Sequence, residues 1–252
     1  MIYRGKKTSK HINPVKLQFA MRIAVLILLV FSFCNLALGQ DSTLTLVPSR
    51  KNTSLFTKKS IAFPALCIGY GAASLYSKKL KEWNIQTNNS IAVKNPNNKV
   101  PLEDYLVFSP SVLTFGLQLA GVKSVHDWKE SMLFYTVTNA VVASVVFPIK
   151  YITKEDRPDR TSQHSFPSGH TSIAFASAEF ARIEYKDHPW VGILGYSIAT
   201  ATGYLRMYNN RHWLGDVVTG AGVGILSAKF SHWVMKRTHK LLAKKRHVTE
   251  LD

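Results

Sequence analysis

Cysteine is nearly absent: Cys34 and Cys67 are the only two in 252 residues, too few for a disulfide scaffold or a four-cysteine metal site. Charge is scarce as well, at 19% against about 25% in an average soluble domain. Acids are the minority within it, with 15 Asp and Glu against 32 Lys and Arg, for a formal net charge of +17. Strand-like alternation persists nowhere and no internal repeat is visible, which argues against barrels, propellers and solenoids. What the chain has in quantity is apolar surface, 46% by residue. That excludes disorder for most of its length, and the length suits one sizeable domain.

A basic surplus raises the question of nucleic acid, and its placement answers it. Arg4, Lys6, Lys7, Lys10, Lys16 and Arg22 precede an apolar run, with no acid among them, and Lys236, Arg237, Lys240, Lys244, Lys245 and Arg246 crowd the other end. Basic ends around an apolar middle are a membrane or export pattern, because Lys and Arg are retained on the cytoplasmic side. A nucleic-acid groove would interleave cations with aromatics along one element, so no nucleic-acid partner is expected.

Residues 23–39 are almost wholly apolar and end in Ala37-Leu38-Gly39 before Gln40, a small-x-small cleavage pattern. Residues 1–39 therefore read as a signal peptide, with an uncleaved N-terminal membrane anchor as the alternative; the apolar run is short for a full span. Residues 40–60 are polar and basic and read as a flexible lead-in. Five apolar stretches follow, Ile61–Tyr76, Tyr105–Val122, Met132–Ile149, Trp190–Leu205 and Trp213–Met235, with an amphipathic sixth, Thr171–Tyr185, that carries Glu179, Arg182 and Glu184. Lys78–Glu103, rich in Asn and Lys, reads as a loop. Gly, Ala and Ser recur in the apolar stretches, as close helix packing requires.

The expected fold is all-α, a bundle of about six helices embedded in a membrane, with the core over residues 61–235 and a basic tail over 236–252. A bilayer span needs about 20 apolar residues, more than several of these stretches offer. An external start with a cytoplasmic tail also requires that one stretch before Lys150 not cross. Tyr105–Val122, with Ser109, Pro110, Ser111 and Gln118 inside it, is the stretch expected to lie shallow or pack internally.

Three short segments carry chemistry, each where an apolar stretch ends or begins. In Lys150-x6-Arg157-Pro158, two cations just past a helix end can turn toward one oxyanion. In Pro167-Ser168-Gly169-His170, Pro and Ser open a helix whose unpaired N–H groups suit a phosphate, and Gly admits close approach of backbone to ligand. His170 stands where it can give a proton to a leaving oxygen. In Arg206-x5-His212-x3-Asp216, His212 and Asp216 are four apart and share a helix face. Asp216 can fix the tautomer of His212 and free its other nitrogen for attack, while Arg206 offers a two-pronged donor. Each segment alone is matched by a bland alternative: interfacial anchors, a capped helix, a satisfied core His–Asp pair. Together they assemble cations, a helix start, two imidazoles and a carboxylate, an inventory for phosphoryl transfer that requires no metal or other cofactor.

These segments resemble the type 2 phosphatidic acid phosphatase superfamily, which includes lipid phosphate phosphatases, bacterial class A acid phosphatases and vanadium haloperoxidases. Its signature K-x6-R-P, P-S-G-H and S-R-x5-H-x3-D is met at Lys150, Arg157 and Pro158, then Pro167 to His170, then Arg206, His212 and Asp216, with Leu205 where the family usually has Ser. The resemblance implies His212 as nucleophile forming a phosphohistidine, Asp216 orienting it, and His170 as general acid and then base. It implies Lys150, Arg157, Ser168, Gly169 and Arg206 as the phosphate holders. The implied activity is hydrolysis of a phosphomonoester or pyrophosphate, of an amphiphile such as phosphatidate, phosphatidylglycerophosphate, a polyprenyl diphosphate or a lipid A phosphate. The implied place is the inner membrane, with the site facing the periplasm. The rivals are a soluble periplasmic acid phosphatase of broad range, vanadate-dependent halide oxidation, against which the small size and short 159–166 gap argue, and a non-catalytic membrane protein retaining the motifs.

Two other features invite functional readings and receive structural ones. Gly220-Ala221-Gly222-Val223-Gly224 follows no strand, so helix packing explains it. His126, His164, His188 and His232 lack metal-ligand spacing and are expected at the surface or interface, with His164 near enough to tune the site.

Overall fold

The computed structural model describes residues 57–94 and 96–249, and the signal-peptide reading of residues 1–39 lies outside them. Eight α-helices account for the described secondary structure, joined by loops and one 3-10 turn at Pro96–Asn98, with no strand among the described residues. The all-α bundle read from the sequence is thus the observed architecture.

The helices are α1 (Lys58–Ser74), α2 (Lys78–Ile91), α3 (Glu103–Leu106), α4 (Ser109–Leu119), α5 (Trp128–Thr153), α6 (Gly169–Glu184), α7 (Pro189–Tyr208) and α8 (Leu214–Thr249). Local chemistry sets their ends. Thr57 and Ser60 exchange side-chain and backbone bonds in a capping box that opens α1, satisfying N–H groups a helix start leaves unpaired. Asp127 accepts from Glu130 N at 2.8 Å to open α5, and Pro189 fills the first position of α7, where its missing N–H costs nothing. Lys154 closes α5 in the left-handed region at φ 48°.

At the centre lies α6, packed against α4, α5, α7 and α8, with α1 covering the far side of α8. Its small residues let neighbours approach to backbone contact. A Cβ at Gly224 of α8 would stand 2.2 Å from Ser172 O, and one at Gly220 would stand 2.7 Å from Ser168 O. Gly222 turns the other way, toward Pro64 O of α1. The glycine run is therefore a two-sided packing seam, as its sequence context indicated.

Several expectations are corrected. The segment Lys78–Glu103 is not a loop throughout: most of it is α2, a mainly polar helix tied in by Asn84, whose side chain accepts from Gly215 N at 3.0 Å. Tyr105–Val122 is not one stretch but breaks at Val107–Phe108 into α3 and α4; α4 has 11 residues, about 16 Å at 1.5 Å per residue, too short to cross a bilayer, in keeping with the expectation that this stretch does not span. Helix α6 is buried around nearly its whole circumference instead of along one stripe. Its Glu179 is bonded by both Arg182 nitrogens Nε and Nη2 at 2.7 and 2.6 Å, approached by Lys229 Nζ at 3.2 Å, and bonded by the Tyr196 hydroxyl. That carboxylate sits inside the protein, which removes the cost of exposing it to lipid. His126 is largely buried: its Nδ1 lies 2.9 Å from buried Glu184, and its ring meets that of His232 at 5.4 Å.

One described helix, α5, is long and apolar enough to cross a membrane, and the pair α1–α2, bent by 97°, passes the same length and composition test if taken as one span. Helix α8 runs on through the basic segment to Thr249.

Candidate active site

The three sequence segments meet where the C-terminal end of α5 and the N-terminal ends of α6 and α8 come together. Ser168, the N-cap of α6, donates its backbone N–H to Asp216 O at 3.0 Å, joining the second segment to the third. Lys150, in the last turn of α5, donates from Nζ to His164 O at 2.7 Å and Ser165 O at 3.1 Å, tying the first segment to the stretch that leads into the second. Arg211 closes the ring of contacts from the α7–α8 loop to Asp159 at 3.1 Å. Residues spread over nearly seventy positions are thus held by backbone and charge contacts at one end of the bundle.

At the centre is His212, 2% exposed, in the loop before α8. Its Nδ1 lies 3.3 Å from Asp216 Oδ2, the i, i+4 pairing expected from the spacing. Asp216 is itself held by Trp213 N at 2.9 Å and by the Ser165 hydroxyl, which also lies 3.4 Å from His212 Nδ1. Burial, and then the charges of Lys150, Arg206, Arg157 and His170, hold the His212 imidazole well below the ordinary histidine value of 6.5. The ring is therefore neutral at neutral pH, the form with a free lone pair.

The cations take complementary places. Arg206, in the last turn of α7, is buried and anchored through Nη1 to Glu103 Oε1 at 3.2 Å. The Nε groups of both Arg157 and Arg206 are buried and have no hydrogen-bond partner among the described residues. A buried charged donor left unpaired is costly, and two of them flanking one imidazole make a place for oxyanions. Ser168 is fully buried, and its Oγ accepts from Thr171 Oγ1 at 2.9 Å. A Cβ on Gly169 would meet only Val146 and Lys150 side-chain carbons at 3.9 and 4.0 Å, so protein crowding does not require glycine there. His170, in the first turn of α6, turns its Nε2 to Asp104 Oδ1 at 2.9 Å. His164 bridges back to Lys150 O through Nδ1 at 3.3 Å and packs on the Tyr151 ring, while Lys154 and Arg160 take positive-φ turn positions on the way to it.

Three contributors escaped the sequence reading. Ser165 carries no spacing rule that separates it from any buried serine. Glu103 and Asp104 sit on one-turn α3, in and beside a segment without periodicity, and their relation to residues 170 and 206 exists only in the fold.

Fold and site define a class: a helical bundle with a buried His–Asp pair set among cations at the joint ends of three helices. Residues 131–240, from α5 through most of α8, match the PAP2 superfamily. The chain is 40% identical over 109 residues to a lipid A 1-phosphatase of Porphyromonas gingivalis, and 31% identical over 83 residues to the bacitracin transport permease protein BcrC of Bacillus licheniformis. These alignments take in 43% and 32% of this chain, but only 24% and 39% of those relatives. Among solved structures, a transmembrane PAP2-type phosphatidylglycerolphosphate phosphatase from Bacillus subtilis superposes with a TM-score of 0.51 at 18% identity, covering 70% of this chain and 96% of that one. That likeness is one of fold.

Proposed function

We propose that this chain is a membrane-associated phosphatase that hydrolyses a phosphomonoester or pyrophosphate of an amphiphile through a phosphohistidine. The observation that carries the reading is the pairing of a neutral, Asp216-oriented His212 with the buried, unpartnered Nε donors of Arg157 and Arg206. The family match and the lipid A 1-phosphatase relative support it.

The chemistry follows from the placement. With Nδ1 turned to Asp216, His212 Nε2 is the nitrogen left to attack phosphorus. As the N–P bond forms, the P–O bond to the leaving alcohol or phosphate breaks, and that oxygen keeps the electron pair and takes a proton from His170. Lys150, Arg157, Arg206, Ser168 and the Gly169 amide hold the three remaining oxygens, where charge shifts in the transition state. His170, now neutral, takes a proton from water as the water oxygen attacks phosphorus. The N–P bond breaks, inorganic phosphate leaves, and His212 regains its lone pair. The positive charges come from side chains, so the mechanism includes no metal step.

An amphiphilic substrate is favoured by the surroundings. Leu102, Tyr105, Phe108 and Val112 are exposed on and around α3, the helix that meets His170 and Arg206, and offer an apolar margin beside the phosphate holders. The inner membrane with a periplasm-facing site is the proposed location.

Phosphate release from a panel of phosphatidate, phosphatidylglycerophosphate, polyprenyl diphosphate and lipid A phosphate tests the substrate class. His212→Ala should lower turnover by roughly 10⁴-fold or more and abolish acid-labile labelled phosphate on the protein, with helicity by circular dichroism unchanged. Wild-type rates in that variant would remove His212 from its assigned role.

A further inference from the structure

We propose that Asp104, on the one-turn helix α3, is a positioning residue for His170: its carboxylate accepts a hydrogen bond from the Nε2–H and so directs the proton on Nδ1 toward the departing oxygen. The proposal rests on the phosphatase reading, in which His170 is the general acid. It begins with geometry, since Asp104 Oδ1 lies 2.9 Å from His170 Nε2 and 3.9 Å from Arg206 Nη1.

The contact is built, because α3 is pinned from inside. Glu103, the preceding residue, is buried and accepts from Arg206 Nη1 at 3.2 Å and from Asn209 Nδ2 at 2.7 Å. The Asn209 side chain also accepts from Val100 N at 2.9 Å and donates to Val100 O at 2.7 Å. Two adjacent carboxylates on one turn therefore serve two site residues: the buried one holds Arg206, and the exposed one meets His170.

The chemistry gives the contact its use. A general acid must begin with a proton on the nitrogen that faces the leaving group, and a ring bonded to a carboxylate through its other nitrogen must then hold two protons. The groups that act on the His170 ring are Arg206 of α7, Glu103 and Asp104 of α3, and His212 of the α7–α8 loop. Burial, then Arg206, push His170 below its ordinary value; the opposing pull comes first from Asp104 and then from Glu103. Asp104 is thus the principal group that favours the doubly protonated ring, and its bond also fixes the ring plane.

Leaving-group dependence separates this role from a structural one. Phosphoryl transfer from p-nitrophenyl phosphate expels a stable phenolate and needs little protonation, whereas an alkyl phosphate expels an alkoxide and depends on the acid. The full chain, purified in detergent, is assayed on both substrates as wild type, Asp104→Asn and Asp104→Glu. The Asp104 side chain is 60% exposed, so these replacements leave the core untouched.

General acid catalysis contributes roughly 10²–10⁴-fold, and its partial loss in Asp104→Asn should lower kcat on the alkyl phosphate at least about tenfold more than on p-nitrophenyl phosphate. The alkaline limb of the alkyl phosphate profile should move to lower pH, and Asp104→Glu should restore both. Equal losses on the two substrates, a gain on both, or an unmoved limb would overturn the role while leaving the phosphatase reading intact. A wild-type chain that releases phosphate from neither substrate would overturn the phosphatase reading and this role together.

Discussion

In the proposed reaction two imidazoles share the site with opposite tasks, and their surroundings set the pH at which both can act. Attack requires neutral His212, and protonation of the leaving oxygen requires charged His170. Both are held below 6.5 in the free protein, His212 well below, chiefly by burial and then by neighbouring cations. A depressed value on His212 extends its neutral form to the acid side of 6.5. A depressed value on His170 means that the acid is lost as pH rises through a point that is itself below 6.5. The alkaline limb of kcat/KM, which reports the free enzyme, should therefore begin on the acid side of 6.5 for an alkyl phosphate. A rate–pH profile flat to pH 7.5 would contradict the assignment of His170 as acid. These two residues were readable in the sequence because their spacing to Ser168 and Asp216 is local. Ser165, Glu103 and Asp104 were not, because each acts across a contact that sequence distance hides: Ser165 is 51 positions from Asp216, and Glu103 is 103 from Arg206.

The site is only as well placed as the helices that end there, and α6 and α8 are registered by small residues rather than by large interlocking ones. Gly224 is the sharpest case, since an added Cβ would fall 2.2 Å from Ser172 O and 2.8 Å from Ala176 N, both backbone atoms that cannot swing aside. Gly69, on α1, has nothing within 4 Å of the same added carbon. Gly224→Ala should therefore destabilise by about 1–3 kcal/mol through overpacking. Gly69→Ala should be neutral or stabilise by up to about 1 kcal/mol through helix propensity. Thermal unfolding of the two variants in one detergent checks this, and equal shifts would refute the seam. The apolar elements were legible because burial leaves a compositional trace. Helix α2 was not, because the apolar residues of KKLKEWNIQTNNSI are few among Lys and Asn, and its buried residue is Asn84; the tertiary bond from Gly215 N to Asn84 and the bond from Val93 N to Tyr208 O at 2.8 Å hold its course. The break at Val107–Phe108 was hidden in the same way, since an apolar run does not show where a chain turns within it.

For the molecule as a whole, the open question between an embedded bundle and a released one turns on which surfaces are apolar. In a soluble bundle the most apolar helix is covered by the others. Here the apolar window of α5 is only 22% buried inside the protein, and Phe63, Leu66, Val112, Leu119, Ile152 and Ile193 stand well exposed on α1, α4, α5 and α7. Large contiguous apolar surface on a soluble monomer is rare, and about 25 cal/mol per Å² is at stake in covering it. The acidic groups of α6 point inward: Glu179 is engaged by Arg182, Lys229 and Tyr196, and Glu184 by His126. With those charges satisfied internally, the outer face of the bundle suits hydrocarbon at little electrostatic cost. Membranes from cells expressing the full chain, washed with alkaline carbonate, should therefore keep the protein in the pellet, with detergent required to release it. Recovery of folded, active protein in the carbonate supernatant would instead establish the soluble phosphatase, and the exposed apolar faces would then have to be covered by another copy or another chain.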